Sequence, residues 1–167
     1  MVEGNWNLPD HFLYQFADRL RAENIFDKVF YEGTIVTNVD FMLTMKAPGN
    51  LPVFLFCDTE PLGVAWINGA AGNMAFVHFA FLKKSWGKVT KNMGKRLLDY
   101  WFSFPGEDGP LFEFLFGMMP TFNRQAFRYM KSMGFKVIGE VPKFHKSPYH
   151  DDLLDIVVSY YPRTDHG

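Results

Sequence analysis

Cysteine is almost missing from this chain: among 167 residues Cys57 stands alone, so no disulfide can close within it. That fits a reducing compartment. Its place at the end of LPVFLFC reads as a buried, inert thiol. An excess of one charge is missing too. Seventeen basic and eighteen acidic side chains leave a net charge of −1, so no global field draws the chain to nucleic acid or to an acidic membrane. No apolar run approaches the roughly 20 residues of a membrane span. The first residues, MVEGNWNLPDH, lack the basic-then-apolar pattern of a secretory leader. Internal repeats, low-complexity tracts and linkers are absent as well. The expectation is one soluble, cytoplasmic domain over 1–167, a monomer or homodimer.

What the chain has is rings. Nineteen Phe, seven Tyr and four Trp sit in a composition that is otherwise ordinary, 48% hydrophobic and 21% charged. The core should be packed with aromatics. The basic residues also cluster, with Lys83, Lys84, Lys88, Lys91, Lys95 and Arg96 inside fourteen positions. A cluster this short suits a local anion site better than a nucleic-acid stripe.

The cluster belongs to the stretch 76–102, which reads as a buried strand, a basic loop with Trp86-Gly87-Lys88, and an amphipathic helix. Val89, Met93, Leu97, Tyr100 and Trp101 form its predicted apolar stripe, opposite Lys88, Lys91, Asn92, Lys95 and Asp99. A strand running straight into a helix start leaves free N–H groups at the turn, and these suit a phosphate.

Around it the pattern predicts an opening helix from Pro9-Asp10, broken at Asn24, then a short helical piece over 25–30. A β-branched strand is expected over 34–37 and a short helix over 38–46. Strands over 52–57, 62–68 and 73–82 have short links and should form an antiparallel meander. The first and third are nearly all apolar and are expected to be central, covered on both faces. A strand over 111–117, interrupted by Glu113, should return parallel after the helix. A helix over 122–133 ends at Gly134, with Phe135 behind it for the capping contact. Strands over 136–141 and 153–160 flank a loop, and the tail from 162 should fray. The class is α+β, with a mixed central sheet of six or seven strands flanked by helices.

Asn123, a small residue (Ala126) three positions on, and Gly134-Phe135 eleven and twelve on form a spaced motif, with Gly139 following. Together with Trp86-Gly87-Lys88 after an apolar strand, this resembles the GNAT superfamily of N-acetyltransferases. The element order from Pro52 to Tyr160 fits, so the resemblance covers about two thirds of the chain. The cofactor loop departs from the family's Arg/Gln-x-x-Gly-x-Gly/Ala. In one register, 89–94, only Gly94 is kept; in the other, from Trp86, Val89 replaces a glycine.

The resemblance implies acetyl-CoA as cosubstrate, lying where two parallel strands splay. Backbone near Ala80, Phe81 and Leu82 would hold the pantetheine arm and polarise the thioester. Trp86, Gly87, Lys88, Val89, Thr90 and Lys91 would cradle the pyrophosphate. Asn123 would contact the pantetheine or order its loop, or serve only as a helix cap. The family's acid tyrosine falls at Met130 here; Tyr129 is one residue early, about 100° round the helix, and is either the acid or a core residue. His78 and Glu113 are candidate bases, or else satisfied core groups. His145, His150, Asp151 and Asp152 are ligand types at a spacing that matches no defined metal site, and no metal is assigned. The implied activity is acetyl transfer to a primary amine on a small molecule or a protein. The alternatives are a non-catalytic GNAT-fold assembly module of the phage accessory type, and a different acyl-CoA or small-molecule binder.

Overall fold

The computed structural model describes residues 8–164. Three helices come first: α1 (Asp10–Ala22), α2 (Phe26–Val29) and α3 (Asn38–Lys46). The meander follows as β1 (Leu51–Cys57), β2 (Glu60–Ala71) and β3 (Met74–Phe81), and then a turn of 3-10 helix leads into α4 (Lys88–Phe102). The chain ends with β4 (Phe114–Pro120), α5 (Arg124–Met133), β5 (Lys136–Lys146) and β6 (Leu153–Pro162). The six strands make one sheet in the order β1-β2-β3-β4-β6-β5. Every neighbouring pair is antiparallel except β3 and β4.

Alternation along the strands builds two cores, one on each face. Val64, Trp66, Ala80 and Leu82 pack under α1, α2 and α3 with Leu13, Phe16, Phe26, Phe30 and Phe41. Ala65, Ile67, Ala75 and Val77 face the other way, against Leu97, Leu98 and Trp101 of α4 and Met130 and Met133 of α5. The expected ring packing is present, for example Phe16 edge-on to Phe54 and Phe30 stacked on Trp66.

Several expectations need correction. Residues 34–37 form no strand: the Asp40 carboxylate accepts from the Val36 and Thr37 amides, and Thr37 Oγ1 accepts from the Asp40 amide. These β-branched residues close a capping box at the start of α3. β1 is apolar but lies at the sheet edge, paired only with β2. Its apolar residues are used where helices pass over the edge, as Phe12 of α1 does over Phe54 and Phe56. Cys57 is exposed, because it ends that edge strand at the hairpin.

The buried face of α4 is Thr90, Gly94, Leu97, Leu98, Trp101 and Phe102, while Val89 is 50% exposed. The true stripe is rotated by about one residue from the expected one, because small Thr90 and Gly94 admit α5. β4 starts at Phe114, not 111. β5 runs on through a bulge to Lys146, and β6 reaches Pro162. Arg163 is tied down by its amide to the Glu113 carbonyl and by its guanidinium to the Glu113 carboxylate at 3.1 Å. Among the described residues no helix is long and apolar enough to cross a membrane.

Candidate functional site

The sheet comes apart along its one parallel seam. β3 and β4 register only at Met74–Phe114, Ala75–Leu115 and Phe76–Phe116. Beyond that each strand follows its outer neighbour, β3 with β2 and β4 with β6.

Strand parity says which backbone groups this exposes. The Leu82 amide donates to the Leu62 carbonyl, so Leu82, Ala80 and His78 turn their peptide groups toward β2. Val77, Phe79 and Phe81 therefore face β4 across the gap. On the other bank the Thr121 amide donates to the Asp155 carbonyl, which puts the peptide groups of Met119 and Gly117 toward β6 and those of Met118 toward β3. The Val77 amide closes the last rung, to the Phe116 carbonyl, so the Val77 carbonyl and both peptide groups of Phe79 and Met118 have no strand partner. The Phe81 carbonyl is capped by the Trp86 indole N–H at 2.8 Å.

A cavity of about 420 Å³ fills the gap and passes from one face of the sheet to the other. On the α1–α3 side it is walled by Ile25, Lys28, Val29 and Tyr31, and on the α4–α5 side by Trp86, Gly87, Thr90, Asn123 and Tyr129. Asn24 makes the sharp break between α1 and α2 in left-handed conformation, φ 55°. The α2 segment is thereby turned over the sheet.

The α4 end of the cavity is built for an anion. Gly87 is the N-cap at φ 107°, a conformation that favours glycine. The Lys91 amide closes the first helical bond, to the Gly87 carbonyl, which leaves the Lys88, Val89 and Thr90 amides as the open first turn. Lys88 is exposed beside them.

Asn123 is the α5 cap: its Oδ1 accepts from the Ala126 amide at 3.2 Å, and its Nδ2 donates to the Lys28 carbonyl at 3.4 Å. It therefore ties the α2 wall to α5. Tyr129 donates to the Thr90 carbonyl at 3.1 Å and meets Phe79 and Phe81 edge-on. Burial pushes its hydroxyl well above the ordinary tyrosine range. Gly94 is what allows this approach, since a Cβ there would collide with the Tyr129 hydroxyl and lie 2.7 Å from Met133 Cε.

His78 faces the α1–α3 core, stacked on Trp66 at 4.7 Å with Nε2 3.0 Å from Asn68 Oδ1. Burial lowers its pKa to about 4, so it is neutral at pH 7. With the amide oxygen of Asn68 as acceptor, Nε2 carries the proton. Tyr31, also buried, is pushed up by burial and by Glu32 beside it.

The structure thus brings His78, Ala80, Phe81, Trp86, Gly87, Thr90, Asn123 and Tyr129 to one cavity. Glu113 does not join them; it lies at the closed end of the seam, paired with Arg163. Leu82 spends its amide on Leu62, and Lys88, Val89 and Lys91 lie outside the cavity lining, on the turn beyond it. His145 bonds the Glu32 carbonyl and His150 packs on Phe122. Among the described residues no group of three or more His, Cys, Asp or Glu could hold a metal. Sequence reasoning missed the whole α2 wall, and nothing short of knowing that α2 crosses the splay would have found it.

A six-stranded mixed sheet with helices on both faces, split between its parallel strands above a helix N-terminus, is the GNAT fold. Solved structures share it over nearly their full length. A spermidine N-acetyltransferase from Vibrio cholerae, in complex with CoA and spermine, matches with a TM-score of 0.72 at 13% identity, over 93% of this chain and 92% of that one. A ribosomal-protein-S5-alanine acetyltransferase from Vibrio fischeri matches at 0.70 and 10% identity, over 96% and 92%. A microcin C7 self-immunity acetyltransferase with acetyl-CoA and AMP matches at 0.63 and 15%, over 90% and 88%. No family model and no curated protein matches the sequence itself. At such identities the likeness establishes the fold.

Proposed function

We propose that the protein is an acetyl-CoA-dependent N-acetyltransferase that acts on a primary amine by direct attack. The observation that carries this reading is the seam. The Val77 carbonyl and the peptide groups of Phe79 and Met118 face a cavity unpaired, and that cavity opens onto the uncapped first turn of α4. An extended amide-bearing arm can replace the missing strand pairing, and a diphosphate suits the turn. Solved proteins of this fold that hold CoA or acetyl-CoA support the same ligand.

In the proposed roles, the Val77 carbonyl and the Phe79 amide face the pantetheine arm. An amide on this bank is placed to stabilise negative charge on the thioester oxygen. The Lys88–Thr90 amides meet the pyrophosphate, with the ammonium groups of Lys88 and Lys91 adding attraction. The amine nitrogen bonds to the acyl carbon, the carbon–sulfur bond breaks, and the proton lost from nitrogen reaches the thiolate through water. Tyr129 suits the acid role poorly, since its raised pKa makes proton donation to a thiolate unfavourable. We assign it to holding the α4 turn in place through Thr90. His78, neutral, serves as a hydrogen-bonding neighbour for an amine that arrives neutral; with a pKa of about 4 it does not deprotonate an alkylammonium.

The test is a thermal-shift titration. Acetyl-CoA at millimolar concentration should raise Tm, and Lys88→Glu, an exposed change, should abolish the rise while leaving the unliganded Tm in place. No rise with the wild-type chain folded would overturn the reading. Val89, a branched residue where the GNAT cofactor-loop pattern read from Trp86 has glycine, favours a second reading as a non-catalytic module. Binding without thiol release, with any amine offered, would select it.

A further inference from the structure

The titratable side chains that line the cavity are Lys28, Tyr31, His78, Arg128 and Tyr129. They come from every wall: Lys28 and Tyr31 from the α2 segment, His78 from β3, and Arg128 and Tyr129 from α5. Among the described residues no carboxylate is part of that lining. Glu32 lies next to Tyr31, whose hydroxyl bonds its carboxylate, and is not part of that lining. The charged residues of that lining, Lys28 and Arg128, are therefore both cations.

With the α4 side given to the cosubstrate, a reading on which this inference rests, the acceptor must enter from the α1–α3 side. It meets Ile25, Lys28, Val29, Tyr31 and Met118 there. Burying an alkylammonium against such a wall leaves its charge unpaired and repelled, which is costly. A neutral amine meets no such barrier. At pH 7.5 an α-amine is about one third neutral, whereas a lysine-type amine is about one part in a thousand neutral.

We infer that the acceptor is a weakly basic amine on an apolar body, an α-amine of the peptide N-terminal or amino-acid-amide kind, and that Lys28 excludes polyamines and lysine side chains. The wall selects by charge and the apolar residues accommodate the first side chain.

The test compares three acceptors with saturating acetyl-CoA, following thiol release: the dipeptide amide Met-Phe-NH2, spermidine, and Nα-acetyl-lysine amide. The expected result is a kcat/KM at least tenfold higher for the dipeptide amide at pH 7.5. Lys28 is exposed, so Lys28→Glu and Lys28→Met should both fold. Lys28→Glu should move the dipeptide-to-spermidine ratio at least tenfold toward spermidine, with Lys28→Met between it and wild type. A preference for spermidine or the lysine amide overturns the inference. So does an unmoved ratio in Lys28→Glu, or an absence of dipeptide turnover while acetyl-CoA still raises Tm. In each of these cases the cosubstrate reading stands, whereas loss of the acetyl-CoA shift itself would sink that reading first.

Discussion

Gly94→Ala sets two rules against each other. In an exposed helix interior the change should stabilise, by about 1 kcal/mol on intrinsic propensity. Gly94, however, is buried on the face of α4 that receives α5. A Cβ there would collide with the Tyr129 hydroxyl and stand 2.7 Å from Met133 Cε and 3.0 Å from Met133 Sδ. The thioether is flexible and can yield. The tyrosine cannot easily do so, because its ring is held edge-on by Phe79 and Phe81 and its hydroxyl by the Thr90 carbonyl. Overpacking costs about 1–3 kcal/mol, and a hydroxyl forced off its partner about 1–3 more. These outweigh the propensity gain, so the net effect should be a destabilisation of about 1–5 kcal/mol. Urea unfolding at constant m measures it. A double-mutant cycle isolates the contact: with Tyr129→Phe the offending oxygen is gone, and Gly94→Ala should then cost about 1 kcal/mol less. A neutral or stabilising Gly94→Ala, or a cycle that closes at zero, would refute the claim that Tyr129 and Gly94 fix the spacing of α4 and α5.

Two further outcomes are expected. Burial lowers the His78 pKa to about 4 in the folded chain from its ordinary 6.5, so between those values the unfolded chain binds more protons. Its contribution is therefore complete above pH 6.5 and lost as pH falls toward 4, on the order of 3 kcal/mol in all. Urea midpoints from pH 4 to 8 should show that slope, and His78→Gln should flatten it; an unchanged slope would place the titration elsewhere. Thr37→Ala removes the α3 cap acceptor and should cost about 1 kcal/mol, or roughly 2–4 °C in Tm. A calorimetric Tm equal to wild type would show that the Asp40 carboxylate alone holds that turn.

The order of elements was readable because local rules agreed with the fold at most positions. Short links demanded the meander, and a helix between two apolar strands demanded a parallel return. The Gly134 cap appears at φ 102° where the helical pattern stopped. Failures came where one residue served a tertiary purpose. Val36 and Thr37 have strand propensity, but Asp40 takes their amides for a cap. The stripe of α4 was misplaced because hydrophobicity ranks Val89 above Gly94, whereas packing against α5 required the smallest residue and left the valine in solvent. β1 looked central because an apolar run does not distinguish a covered edge strand from an interior one.

The site was half legible for a related reason. Asn123 and the turn at Gly87 announce themselves by residue type, since a cap and a left-handed glycine each leave a local mark. The backbone groups that line the splay have no such mark. Their orientation follows from register alone: one residue of slip would turn Ala80 and Leu82 toward the gap and hide Phe79. The register that decides is fixed at a distance, by the Leu62–Leu82 bond at one end of β3 and the three pairs with β4 at the other. The α2 wall is further still from local rules. Lys28 reaches the cavity because Asn24 turns the chain and Asn123, 95 residues on, bonds the Lys28 carbonyl. A contact between elements so far apart in sequence is invisible to periodicity. The acceptor wall is therefore the part of the site that the sequence leaves blank, and the part where one charge, at Lys28, can decide which amines enter.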